Sequence, residues 1–149
     1  MSLVETSIAI LISVVLTVAG LVGAKAVMHS GKIQALESGI RSVQQLSLQY
    51  ANMNSSFSGL SCSSLVSNNL QPASSCTPSG TGPNFTSVLN MGNLQVSSPC
   101  SPNCNSFTIT FTPTDPSITT VDCSGPLTGS FTSAATISCG SSWSLVFGK

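Results

Sequence analysis

Charge is scarce in this chain. Of 149 residues, four are basic and four acidic, for a formal net charge of zero. Nucleic-acid binding needs clustered Lys or Arg, so that balance argues against it. Histidine occurs once, at His29, and no Cys, His or acid stands at ligand spacing from it. It reads as a solvated or interfacial residue. After Glu37 the only acids are Asp115 and Asp122, too few for an acidic calcium site. Paired carboxylates, a Gly-rich phosphate loop after a strand and a G-x-S-x-G elbow are all missing. No catalytic constellation, cofactor or metal is expected. Aromatics are few, and none lies in the N-terminal apolar run.

That run is the chain's main feature. From Thr6 to Ala24 there are 19 residues without a charge. As a helix they would cover about 28 Å, close to the ~30 Å hydrocarbon core of a bilayer. Glu5 stands at the edge of this segment. A carboxylate there is either interfacial or functional, because burying it in hydrocarbon costs several kcal/mol. The N-terminal ammonium is one helical turn away, a poor partner within one helix. In a stack of parallel copies, the amine of one chain can reach Glu5 of the next.

The helical period continues past Ala24. Ile33, Leu36, Ile40, Val43 and Tyr50 recur at steps of three, four or seven, with Leu46 filling the stripe. The spacing predicts one helix from about residue 2 to about 52, ended by Asn52-Met53-Asn54. Its first part, 1–28, is apolar all round, and 29–53 has one apolar face that needs a cover. Gly20, Gly23 and Gly31 each cost about 1 kcal/mol relative to Ala. Close helix packing explains Gly20 and Gly23 first, and a local weak point where the helix can melt explains them second.

Residues 54–149 form the expected globular head. Leu60 to Leu70 is compatible with a short helix. Pro72, Pro78, Gly82-Pro83 and Pro102 mark a loop region through residue 106. Phe107, Ile109 and Phe111 alternate with threonines, the pattern of a half-buried strand. Ile118–Cys123, Phe131–Cys139 and Trp143–Phe147 complete a predicted antiparallel sheet of about four strands over 107–149. The fold class is α+β, with the sheet covering the amphipathic half of the long helix.

Six cysteines allow fifteen connectivities. Chain-neighbour pairing is the expectation: Cys62 with Cys76, Cys100 with Cys104, and Cys123 with Cys139, the last joining two strands. A metal site is the rival, but no second pair stands at the spacing of Cys100 and Cys104. Asn54-Ser-Ser and Asn84-Phe-Thr match the N-glycosylation pattern, and the many Ser and Thr make O-linked glycans comparable candidates. The only cations flanking the apolar run, Lys25, Lys32 and Arg41, follow it. Positive-inside counting would leave the head in the cytoplasm. Six cysteines suit an oxidising exterior instead. Removal of a basic leader ahead of Met1 would resolve that conflict.

Ser2-Leu-Val-Glu-Thr-Ser7, followed by an apolar run that passes into an amphipathic helix, resembles a mature type IV pilin. The resemblance is specific over roughly the first 25 residues and fades by about residue 50. It implies cleavage of a basic leader by a prepilin peptidase and methylation of the new N-terminus at Met1. It implies assembly by a dedicated machinery into an extracellular homopolymer, with Met1, Glu5 and Thr6 as the assembly residues. It places the subunit in the bacterial inner membrane before assembly and at the cell surface after it. Met1 in place of Phe, and an apolar helix without Pro, are closer to the type IVb group. Adhesion, motility, DNA uptake and conjugation all use such subunits. Two other readings remain open. One is a minor pilin or a type II secretion pseudopilin. The other is a monomeric membrane-anchored surface or adhesion domain with Glu5 at the interface.

Overall fold

The computed structural model describes the backbone over 3–77, 84–85, 90–98 and 104–148, and side chains within those ranges from Val27 onward. The chain divides into two compact units, Met1–Lys32 and Ile33–Lys149. Helix α1 runs from Leu3 to Asn54. In the second unit its predicted stripe is buried: Ile33, Leu36, Ile40, Val43 and Tyr50 are all at or below 7% exposure, and Leu46 is partly buried. Gly39, Ser47 and Ala51 complete the buried face. Ser47 fits because its hydroxyl donates to the Val43 carbonyl at 2.7 Å. The helix ends where Asn54 Nδ2 donates to the Tyr50 carbonyl and Ser55 turns left-handed at φ 63°.

The chain then folds back under the helix. The Tyr50 hydroxyl donates to the Ser58 carbonyl at 2.8 Å, beside Gly59 at φ 75°. Helix α2, Cys62–Ser67, is short and opens with a reciprocal cap between Ser61 and Ser64. A 3₁₀ turn at Ala73–Ser75 leads into β1 (Cys76–Thr77), which pairs antiparallel with β2 (Asn84–Phe85).

The main sheet has four antiparallel strands: β3 (Gly92–Ser97), β4 (Ser106–Pro113), β5 (Thr136–Cys139) and β6 (Trp143–Gly148). Their spatial order is β3-β4-β6-β5. Register puts Leu94 opposite Phe111, Val96 opposite Ile109, Ile109 opposite Leu145 and Phe107 opposite Phe147. These side chains form the inner face and join the α1 stripe in one core. The opposite face carries Gln95, Thr108, Thr110, Thr112 and Ser144, none of them charged.

Two predicted strands differ. Ile118–Cys123 is not a strand. Thr119 and Asp122 cap one another, with Thr119 N–H donating to Asp122 Oδ2 at 2.9 Å, and the chain enters helical turns α3 (Thr120–Asp122) and α4 (Thr128–Ser130) around a π turn at Cys123–Leu127. Within Phe131–Cys139 the strand is confined to Thr136–Cys139, with the Ala135 N–H donating to the Val146 carbonyl at its start. The fourth strand is β3, inside the stretch expected to be loop, so the sheet begins at Gly92 rather than at 107.

Candidate assembly surface

The sequence places its strongest functional candidates at the N-terminus. Met1 lies outside the described residues. Glu5, Thr6, Gly20 and Gly23 lie within helical backbone, but their side chains lie outside the description. The expected span Thr6–Ala24 shares that position. Among the described residues, no helix is long and apolar enough to cross a membrane. At the boundary, Val27 is 72% and Met28 67% exposed. Among the described residues, the head's core draws on α1 only from Ile33 onward.

The cysteines staple the head. Cys62 and Cys76 are joined, with Cα atoms 5.9 Å apart, and tie α2 to β1. The Gln71 amide nitrogen lies 3.3 Å from Cys62 Sγ and 3.2 Å from Cys76 Sγ, so it sits against this bridge. Cys123 and Cys139 are joined at a Cα separation of 5.7 Å. This bridge ties the π turn to edge strand β5 rather than one strand to another, because Cys123 has become helical. Cys104 is also disulfide-bonded, and Cys100, its expected partner, lies outside the described residues. Among the described residues no group of three or more metal-ligating side chains is assembled.

The two glycosylation candidates differ in setting. Asn54 is exposed at the end of α1, although its amide already bonds Tyr50. Asn84 is 4% exposed, its Nδ2 donates to Asn93 Oδ1 at 3.2 Å, and its Oδ1 is buried without a partner among the described residues. A glycan on that nitrogen does not fit this packing.

One feature of α1 went unread in the sequence. Gln34, Ser38, Arg41 and Gln45 recur at steps of three and four on the side away from the buried stripe. With Glu37 and Ser42 they line an open groove along the helix. Arg41 is drawn to one side of it. Its guanidinium carbon stands 5.3 Å from the Phe131 ring centroid, and Nη2 donates to the Ser130 carbonyl at 3.3 Å. Glu37 and Arg41 stand at the i, i+4 spacing of an intrahelical ion pair. The aromatic ring 90 positions later carries no such sequence signal.

Compared with known proteins, the chain matches no family model, no curated protein and no solved structure.

Proposed function

We propose that this chain is a type IV pilin, a structural subunit that polymerises through its N-terminal helix into an extracellular filament. The observation that carries the reading is a division of labour along α1. Helix α1 runs from Leu3 to Asn54, and among the described residues it contributes to the head's core only from Ile33 onward. The uncharged, apolar sequence from Thr6 to Ala24 needs a cover from water, and in this reading that cover is first lipid and then copies of itself. Transfer from membrane to filament keeps that surface away from water. Glu5 then neutralises the N-terminal amine of a neighbouring copy. A buried charge left alone is costly, so one axial stagger that pairs every charge is preferred.

The stapled head suits an oxidising exterior, where a small α+β domain gains from disulfides. Its sheet strands carry no charged residue, which favours close packing of identical heads. The test is electron microscopy of material sheared from cells, with mass spectrometry of the same fraction. Long uniform fibres of this chain, starting at a methylated Met1, are expected. Glu5→Ala subunits should reach the membrane and assemble poorly. Fibres in which the chain is rare would make it a minor or pseudopilin, and no fibre at all would leave an anchored surface domain.

A further inference from the structure

The bridges Cys62–Cys76 and Cys123–Cys139 are matched in loop length and in exposure. Their sequence separations are 14 and 16, so the chain-entropy contribution of each loop is nearly the same. Each joins a buried cysteine, Cys62 or Cys123, to a half-buried one, Cys76 or Cys139. The difference between them is a donor. Gln71 Nε2 lies 3.3 Å from Cys62 Sγ, 3.2 Å from Cys76 Sγ and 3.3 Å from the Cys62 carbonyl oxygen. A carbonyl only accepts, so it fixes the nitrogen end of the amide toward the sulfurs. The chain puts Gln71 there by reversing after α2. Asn69 is left-handed at φ 57°, and Leu70 N–H donates back to the Leu65 carbonyl at 3.0 Å. Among the described residues, no hydrogen bond reaches the sulfur of Cys123 or Cys139.

We infer that Cys62–Cys76 is a thiol-exchange site, opened by dithiols at Cys76, with Gln71 as the positioning residue that stabilises the leaving sulfur. The inference is independent of the filament reading. Cys76 is half-buried and Cys62 only 1% exposed, so an incoming thiolate meets Cys76 Sγ. Its attack breaks the bond between the two cysteines, and the electron pair leaves on Cys62 Sγ as a thiolate. A mixed disulfide then joins Cys76 to the dithiol. The second thiolate of the dithiol attacks its own sulfur in that bond, closes an internal disulfide and releases Cys76 as a thiolate. Two electrons pass from the dithiol to the bridge, and the two new thiolates take up the two protons that the dithiol lost. Burial makes a thiolate at Cys62 costly, and the Gln71 N–H offsets that cost at the atom where the charge appears. Cys123 is equally buried and has no such donor, so its bridge is the permanent staple. Exchange at Cys76 releases α2 from β1, two short elements, while Cys123–Cys139 keeps edge strand β5 tied to the π turn.

The experiment is timed reduction of the intact, folded chain in detergent by dithiothreitol, quenched by alkylation, with the state of each cysteine read by peptide mass spectrometry. Cys62 and Cys76 should become alkylated about tenfold faster than Cys123 and Cys139, the effect of one hydrogen bond to a charged group. Gln71→Leu should slow the opening of Cys62–Cys76 about tenfold and leave the other bridge unchanged. The direction separates this role from a structural one, because a side chain that merely packed against the bridge would loosen the site on removal and speed reduction. Gln71→Glu keeps the shape, sets a carboxylate against the leaving thiolate and should slow opening further. With glutathione, a monothiol, the mixed disulfide should be trapped on Cys76 and the free thiol on Cys62. The comparison of the two bridges and the glutathione trap need no variant. Equal rates at the two bridges, faster opening of Cys62–Cys76 in Gln71→Leu, or glutathione trapped on Cys62 would each overturn the inference.

Discussion

The Arg41 guanidinium lies over the Phe131 ring, 5.3 Å from its centroid, and reaches the Ser130 carbonyl at 3.3 Å. One exposed side chain of α1 thus holds the end of the helical segment that follows β4. Arg41→Ala should lower head stability by about 0.5–1 kcal/mol. Arg41→Lys keeps the charge but loses the flat stack, and should recover only part of that loss. Chemical denaturation of the two variants against the parent measures both. Equal midpoints for all three would mean that the contact contributes nothing.

Gly92 opens β3 where two chains meet closely. A Cβ there would collide with the Thr112 carbonyl and stand 2.8 Å from two ring atoms of Phe111. Phe111 is fully buried and packs edge-on against Trp143 at 5.1 Å, so it has little freedom to yield. Gly92→Ala should cost about 1–3 kcal/mol, as overpacking does. A thermal melt checks it, and an unchanged midpoint would show that β3 shifts freely.

The Cys123–Cys139 bridge spans a sequence separation of 16 and anchors four-residue edge strand β5. Replacing both cysteines with Ser should cost about 3 kcal/mol by the chain-entropy estimate. Hydrogen exchange should rise first at Thr136–Cys139, because that edge would lose its tie to the π turn. Faster exchange spread evenly over the sheet would contradict this assignment.

Leu36 is fully buried on the α1 face that meets the sheet. Leu36→Ala should destabilise the head by about 2–5 kcal/mol through lost contacts and a cavity. Exposed Gln34→Ala, two positions away, should stay within about 0.5 kcal/mol. The contrast, read by denaturant midpoints, tests which face of α1 is covered. Similar losses in the two variants would refute it.

Much of the head was legible beforehand. The stripe from Ile33 to Tyr50 is periodic enough that only one helix face can be buried. Phe107-Thr-Ile-Thr-Phe111 alternates strictly, so β4 and its inner face followed from the residues. Trp143–Phe147 behaved the same way. Two cysteine pairs, Cys62–Cys76 and Cys123–Cys139, formed between chain neighbours as expected. What misled was composition. Ile118-Thr-Thr-Val is β-branched and reads as strand, but Thr119 and Asp122 close a reciprocal cap that starts a helical turn. That capping signature stands in the sequence and outweighed propensity. In β3 the alternating pair Leu94 and Val96 is too short to stand out among turn residues.

The sequence by itself determined the elements whose hydrophobic period is long: the helix, its buried face and the central strands. It also determined that the segment Thr6–Ala24 carries no charge. Tertiary structure alone decided which short strand stands beside β4, where Arg41 turns, and that Glu37 is left without a partner among the described residues. The physical reason is range. A period of 3.6 or 2 is written in neighbouring residues, whereas strand order and the 90-residue meeting of Arg41 with Phe131 depend on packing that no local pattern encodes.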